Sequence, residues 1–245
     1  MGVSLSSGKK TNKLYYAAVG LAAVFGILFV FNLYTYIRRE LDTRETVRQN
    51  EIIYGIFNFE EDIVLTARHI MNNNEIVAHL SVPGTSINHA VVHGIDNEFY
   101  LYHDLLRQPN SNGSIFLDYL NSPCFTNRST IIYGHNRSDG TMFHDIRFFQ
   151  DYEFFEENDL IVVTTAYDEF LYEIFAVFTA HISFNYIQVD FADEHEFLAL
   201  VYEMKDRAMH LRDTAIVESD KILILSTCTG IGPTGRLVVV GRLKT

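Results

Sequence analysis

One of the two cysteines in the chain stands where an apolar run ends. Residues 221–228 (KILILSTC) read as a buried strand, residues 229–235 (TGIGPTG) as a loop and residues 236–243 (RLVVVGRL) as the next strand. If the two strands form a hairpin, Cys228 and Arg236 are neighbours at one rim of a sheet. A thiol beside a guanidinium suggests acyl-transfer chemistry, and a buried, inert cysteine is the alternative interpretation.

A nucleophilic cysteine needs a partner that favours its thiolate form, and histidine is the usual one. Among ten histidines, His135 directly follows the strand-like residues 130–134 (TIIYG) and precedes a polar loop, so it also stands at a strand end. His89 and His93 are four residues apart, but in an extended strand they lie roughly 13 Å apart, too far for one zinc ion. We therefore expect neither a metal nor a cofactor.

Two alternatives concern the neighbours of this cysteine. Arg242 is a second candidate arginine, but it lies roughly 20 Å beyond Arg236 along an extended strand and cannot serve the same thiol. A disulfide between Cys124 and Cys228 is possible in an exported protein, and it would remove the nucleophile.

The composition limits the class of protein. The net charge is −12 and no basic stripe is present, which argues against binding of nucleic acid. Residues 14–37 contain no charged side chain, and about 20 apolar residues suffice for a transmembrane helix. This segment is too long for a signal peptide, so we interpret it as a retained single-pass anchor. The flanking charges are nearly balanced, and we favour a cytoplasmic N-terminus because the long acidic part would then be exported.

The rest of the chain divides by its periodicity. We predict a cytoplasmic tail over 1–13, the anchor over 14–37, a helical extension over 38–75 and a mainly β domain over 76–245. The strand-like segments are 76–82, 86–93, 113–118, 129–135, 159–166, 169–182, 221–228 and 236–244. Between the last long strands, apolar residues spaced by three and four predict one amphipathic helix: Phe197, Val201, Met204, Ala208 and Leu211.

Several of these segments together resemble a known enzyme family. The ordered pieces are residues 130–136 (TIIYGHN), 225–228 (LSTC) and 236–241 (RLVVVG). Further pieces are 83–87 (PGTSI), 91–94 (VVHG), 96–101 (DNEFYL) and 113–118 (GSIFLD). The set is similar to class B sortases over roughly residues 50–245.

The resemblance implies a fold and an activity. The expected fold is an eight-stranded sortase-type β-barrel with N-terminal helices and an inserted helix. Sortases are membrane-anchored cysteine transpeptidases. The resemblance assigns Cys228 as the nucleophile, His135 as general acid and base, and Arg236 as the residue that stabilises the oxyanion or orients the substrate. The implied partners are a sorting-signal peptide of a secreted protein and the amine of a cell-wall precursor or of a pilin lysine.

The resemblance also suggests residues of the substrate groove: Ser226, Asn97, Leu101, Tyr133, Tyr186 and Ile187. For Leu101, Tyr133 and Ile187 a purely structural role in the core is an equal alternative. The loop after Cys228 is short for the family and lacks an acidic residue. A cysteine hydrolase that releases product to water, and a non-catalytic membrane-tethered binding module, are the competing functions.

Overall fold

The computed structural model describes residues 8–59, 62–181, 183–228 and 235–244. The chain divides into two compact units, the first ending at Asp42 and the second beginning at Thr43. The first unit is the N-terminal part of a continuous helix, α1 (Gly8–Phe59). By length and composition this helix could cross a membrane, within the candidate span Tyr15–Ile56.

The second unit begins with the C-terminal part of α1 and continues into α2 (Ile63–Met71). The Asp62 side chain accepts a hydrogen bond from the backbone of Leu65 and caps α2 at its start. Apolar residues of these two helices are buried in one cluster with residues of the β-strands: Ile53, Ile56, Ile63, Val64 and Ala67. Two further helices are α3 (Tyr152–Glu157) and α4 (Glu194–Asp206).

In the part of the chain that the structure describes, nine strands form one sheet, and eight of them correspond to the eight predicted segments. They are β1 (Ile76–Ser81), β2 (Asn88–Val92), β3 (Ile115–Leu117), β4 (Ser129–Tyr133), β5 (Leu160–Thr165), β6 (Glu169–His181), β7 (His210–Leu211), β8 (Ile222–Cys228) and β9 (Gly235–Leu243). The strand order is β5-β1-β2-β3-β4-β8-β9-β6-β7, and β5 also pairs with β6. The pairing of β5 with β6 closes eight strands into a barrel, as the sequence predicted, and β7 is added outside that ring.

The strands around the site are buried on both faces, which explains their continuous apolar runs. In β8, Leu223 and Leu225 point into the barrel, where all eight strands contribute to one apolar cluster. The alternate residues Ile222 and Ile224 pack in a second cluster with α4. The parallel pair of β4 and β8 therefore lies in the middle of the core, and its strand ends are held firmly.

The predicted helix between β6 and β8 is present but shorter than its spacing indicated. The stripe from Phe197 to Leu211 suggested one helix, yet α4 ends at Asp206 and Leu211 lies in β7. The backbone N–H of Met209 donates to the carbonyl oxygen of Val177 in β6 at 2.8 Å. Sheet hydrogen bonds to β6 thus replace helical ones after the end of α4.

Candidate active site

The predicted base and the predicted nucleophile follow or end two neighbouring strands. β4 and β8 run parallel, and the last paired residues are Tyr133 and Ser226. The backbone N–H of Gly134 then donates to the carbonyl oxygen of Ser226 at 3.3 Å. His135 follows Tyr133 by two residues, as Cys228 follows Ser226 on the neighbouring strand. Because parallel strands keep their register, His135 and Cys228 come to the same rim of the barrel.

The third predicted residue joins the same rim through the β8–β9 hairpin. Cys228 is paired with Arg236 in the antiparallel register, which confirms that the two are neighbours. Arg242 lies at the opposite end of β8, where its guanidinium is 3.3 Å from a carboxylate oxygen of Glu173. The side chain of Cys228 and the loop residues 229–234 lie outside the described residues.

His135 is held by a backbone carbonyl. Its Nε2 atom is 2.8 Å from the carbonyl oxygen of Leu101. A carbonyl oxygen can only accept, so Nε2 carries a proton and the neutral ring leaves Nδ1 as its unprotonated nitrogen. Burial lowers the pKa of His135 below its usual value, and the positive charge of Arg137 lowers it further, against the opposing effect of the Leu101 hydrogen bond.

A buried carboxylate joins two of the predicted groove residues. One oxygen of Asp118 accepts hydrogen bonds from the Tyr133 hydroxyl at 2.8 Å and from the Asn97 amide at 2.9 Å. The side-chain oxygen of Asn97 accepts from the backbone of Tyr119 at 3.0 Å. Burial raises the pKa of Tyr133 strongly, and the Asp118 charge raises it further. Tyr133 is therefore a neutral donor near the rim.

Comparison with known proteins identifies the family of this chain. The family described as the sortase domain matches residues 80–244, about two thirds of the chain. This chain belongs to the sortase family. Sortase B of Listeria monocytogenes is 32% identical over 175 residues, which are 71% of each protein. Together with the Sortase B of Staphylococcus aureus, 31% identical over 173 residues, it makes this chain a class B sortase and a cysteine transpeptidase.

Solved structures agree with this assignment. The Staphylococcus aureus sortase B–substrate complex has a TM-score of 0.76 at 26% identity, over 85% of this chain and 99% of that chain. A sortase B from B. anthracis has a TM-score of 0.75 at 30% identity, over 83% of this chain and 98% of that chain. The sortase described here therefore shares the class B fold and acts, as its family does, on sorting-signal peptides.

The remaining groove residues differ in exposure. The Tyr186 hydroxyl and the Ser226 hydroxyl are 2.8 Å apart, and each residue is only 1% exposed. Ile187, the next residue after Tyr186, is 42% exposed. The side chain of Ile187 is therefore accessible to a peptide, whereas those of Tyr186 and Ser226 are not. Their roles in substrate binding stay predictions.

Two contributors to this sortase site were not predicted. Asp118 ends the strand-like segment 113–118, but no local pattern indicates that its carboxylate links Asn97 to Tyr133. The carbonyl oxygen of Leu101 orients His135, although Leu101 was singled out only as a groove residue. A backbone acceptor has no signature in residue type, whereas a buried Asp at the end of a short strand is a recognisable signal for a structural carboxylate.

The second cysteine and the candidate metal ligands are separate from the site. Cys124 is an exposed free cysteine, which argues against the disulfide alternative. His89 lies in β2 and is buried, which lowers its pKa to about 4, and His93 directly follows that strand. Across the described ranges, no group of three or more His, Cys, Asp or Glu side chains could hold a metal ion.

Proposed function

We propose that Cys228, His135 and Arg236 carry the transpeptidase reaction of this sortase. The observation that supports this most directly is the register across three adjacent strands. The pairing of β4 with β8 ends at Tyr133 and Ser226, and His135 and Cys228 each follow two residues later. β9 pairs Arg236 with Cys228. These three strands are buried on both faces, so they give rigid support to catalytic side chains that must be closely aligned.

The first half-reaction is acylation. The Cys228 thiolate attacks the carbonyl carbon of the scissile peptide bond, and a carbon–sulfur bond forms. The carbon–nitrogen bond breaks as the His135 imidazolium gives its proton to the leaving amine. The Arg236 guanidinium stabilises the negative charge on the carbonyl oxygen during this step. The product is a thioacyl enzyme.

The second half-reaction transfers the acyl group to an amine. Neutral His135 takes a proton from the incoming amine, whose nitrogen attacks the thioester carbon. The carbon–sulfur bond then breaks and Cys228 returns as thiolate. We propose an amine of a peptidoglycan precursor, or a pilin lysine, as the acceptor. The donor is the C-terminal sorting signal of a secreted surface protein.

The protonation states predict a slow enzyme. With ordinary pKa values of about 8.5 for a thiol and about 6.5 for histidine, the thiolate–imidazolium pair makes up about 1% of the neutral pair. The lowered pKa of His135 reduces this share further, whereas the charge of Arg236 favours the thiolate. The reaction therefore runs through a minor protonation state.

The placement of the enzyme is part of the proposal. Residues 14–37 anchor the chain in the cell membrane as a single span, with residues 1–13 in the cytoplasm. Residues 38–75 form a helical extension, and residues 76–245 form the catalytic barrel outside the cell. The apolar composition of α1 supports an anchor.

The test uses the full chain in detergent with fluorogenic peptides that carry NPQTN-type, PxTG-type or pilin-type signals, and with hydroxylamine as the amine. We expect a hydroxamate product that Cys228→Ala, His135→Ala and Arg236→Gln each abolish or strongly reduce. Cys124→Ser and Arg242→Gln are matched controls and should retain turnover. Wild-type turnover by Cys228→Ala would overturn the proposal.

The competing functions give different products in the same assay. A cysteine hydrolase would also pass its acyl group to hydroxylamine, so the distinction uses a weaker amine: with triglycine in place of hydroxylamine, a transpeptidase gives an amide product and a hydrolase releases only the carboxylic acid. A membrane-tethered binding module would bind peptide without cleaving it. The binding module is disfavoured because the register brings a candidate base and a cation to the same cysteine.

A further inference from the structure

Two segments of the chain meet at His135. The first is the histidine loop, residues 134–143, which continues from β4 and contains His135 itself. The second is the 99–114 segment, which contains Leu101 and leads into β3. The ring of His135 contacts the second segment through the 2.8 Å hydrogen bond to the Leu101 carbonyl oxygen. The orientation of the ring therefore depends on how these two segments are held relative to each other.

Asp139 organises the histidine loop. One of its carboxylate oxygens accepts from the Thr141 hydroxyl at 2.6 Å and from the Thr141 backbone at 3.1 Å. The other is 3.2 Å from the Arg137 guanidinium. The backbone N–H of Phe143 donates to the carbonyl oxygen of His135 at 2.9 Å and closes the loop. The carboxylate of Asp139 thus fixes the backbone that carries His135.

The hydroxyl of Thr43 in α1 joins the two segments. It donates to Asp139 Oδ2 in the histidine loop at 3.0 Å and accepts from the Asn112 amide in the 99–114 segment at 3.4 Å. A hydroxyl can donate and accept at once, so one side chain serves both partners. Arg137 provides a second, longer link of 3.5 Å from the histidine loop to the Ser111 carbonyl oxygen.

The same face of α1 holds the 99–114 segment at two further points. Thr46 and Gln49 follow Thr43 at intervals of three residues, so the three side chains lie on one side of the helix. The Thr46 hydroxyl accepts from the Asn110 amide at 3.4 Å. The Gln49 amide donates to Asp104 at 3.0 Å. Thr46 and Gln49 are buried, so the contact is a packed interface rather than a surface encounter.

We propose that Thr43 is a positioning residue for His135, which it acts on by tying Asp139 of the histidine loop to Asn112 of the 99–114 segment. This inference rests on the proposed role of His135 as the acid and base of the reaction. The proposal gives the helical extension a part in the chemistry, because the extension holds in place the two segments that position the imidazole of His135. Loss of the Thr43 hydroxyl leaves Asp139 and Asn112 each without one partner and lets the segments shift.

The test compares Thr43→Val, which keeps the shape of the side chain but loses the hydroxyl, with Thr43→Ser, which keeps the hydroxyl. Both are made in the full chain in detergent and assayed with a peptide that the wild type turns over. Since a small misplacement of a catalytic group is costly, Thr43→Val should lower kcat about 10-fold and leave KM within about 2-fold. Thr43→Ser should restore most of the rate.

A second measurement needs no peptide. The rate of Cys228 alkylation by iodoacetamide is followed from pH 4 to pH 10, with Cys124 in the same sample as an internal reference. An inflection caused by His135 should be present in the wild type and absent in His135→Ala. Thr43→Val should weaken that inflection, and in the His135→Ala background it should have no further effect.

The outcomes separate the two proposals. If His135→Ala retains turnover, the proposed function fails, whatever Thr43→Val does. If His135→Ala is inactive but Thr43→Val keeps both the wild-type kcat and the alkylation inflection, the positioning role of Thr43 is wrong. A Thr43→Val protein that only melts at a lower temperature, with unchanged kcat, would also overturn that role.

Discussion

The Nε2 atom of His135 lies 2.8 Å from the carbonyl oxygen of Leu101, although 34 residues separate the two in sequence. This hydrogen bond fixes which ring nitrogen of neutral His135 carries the proton, and it leaves Nδ1 as the nitrogen for the proposed proton exchange with the thiol or the amine. In other cysteine enzymes a side-chain amide orients the histidine, and here a main-chain carbonyl does so. A substitution of Leu101 leaves its backbone carbonyl in place. Tests of this contact must therefore change the residues that position the carbonyl or the imidazole.

The first prediction concerns the charge of Arg137. In the proposed mechanism the reactive form of the site carries one proton, which is on His135 while Cys228 is a thiolate. Below the pKa of His135 in the free enzyme both groups are protonated, so the thiolate is lost and kcat/KM falls. Burial and Arg137 both lower that pKa, which places this acidic limb below pH 6.5. Arg137→Gln removes the nearby positive charge, so the limb of kcat/KM should move to higher pH.

The measurement is the profile of kcat/KM between pH 4 and pH 9 for both proteins. Arg207→Gln is the matched control, because that arginine pairs with Glu203 at the end of α4 and should leave the limb in place. If the acidic limb of Arg137→Gln stays at the wild-type pH or moves to lower pH, the electrostatic effect assigned to Arg137 is wrong.

The second prediction concerns Asp118. Its first oxygen accepts from Tyr133 and Asn97, and its second accepts from the backbone N–H of Leu120 at 2.9 Å. An asparagine must turn its amide N–H groups toward one of these donors, so Asp118→Asn should cost about 1–3 kcal/mol of unfolding free energy. It should also raise KM for the peptide more than it lowers kcat, because Tyr133 and Asn97 lose their shared anchor.

Thermal unfolding followed by near-ultraviolet circular dichroism of the tyrosines, together with steady-state kinetics, checks both effects. Asp206→Asn at the end of α4 is the control and should match the wild type. Equal KM values for Asp118→Asn and the wild type would show that the carboxylate serves folding alone.

The third prediction concerns Gly134, which joins β4 to His135. A Cβ atom at this position would overlap the Cδ1 atom of Ile115 and lie 2.8 Å from the side chain of Phe143. Gly134→Ala should therefore destabilise the protein by about 1–3 kcal/mol and displace the histidine loop. Ile115→Val removes the overlapping methyl group, so the double variant should regain part of the stability and part of kcat. A double variant no better than Gly134→Ala would show that Phe143 alone sets the limit.

The fourth prediction concerns acid stability. His79 and His89 are buried on neighbouring strands, and burial lowers the pKa of each to about 4. In the unfolded chain both take up a proton near pH 6.5, so the unfolded state binds more protons between pH 6.5 and pH 4. Stability is therefore constant above that window and falls within it, by about 1–2 kcal/mol for each histidine at pH 5.

His79→Gln cannot take up a proton, so its unfolding free energy should depend less on pH between 7 and 5 than that of the wild type. Urea unfolding at several pH values measures this slope. His195→Gln on α4 is the matched control, because His195 is exposed and its loss should leave the slope unchanged. A wild-type slope in His79→Gln would contradict the assignment.

The strands were predictable because each is bounded by a local signal. Gly84 and Gly113 have φ values of 81° and 63°, so the turns that they mark require glycine. The hairpin that pairs Cys228 with Arg236 followed from two apolar runs around a glycine-rich loop. These features depend on residues that are close together in the sequence, so they can be predicted from it.

The end of α4 and the contacts of His135 were not predictable in this way. Ala208 and Leu211 continue the helical spacing, but backbone bonds to β6 end the helix at Asp206. The links from Asp118 to Asn97 and from Thr43 to Asp139 join residues far apart in the chain. Their partners are set by strand register and helix placement, which the local pattern does not encode.

The parallel pairing of β4 with β8 has a consequence for the order of events during synthesis. β4 is made early, but its partner β8 and the closing strand β9 are the last two strands in the sequence. Until β8 has been added, β4 has an unpaired edge and His135 lacks the neighbouring cysteine, and Arg236 arrives only with β9. With the proposed roles of these residues, a growing chain is catalytically silent and gains its activity when the barrel is complete.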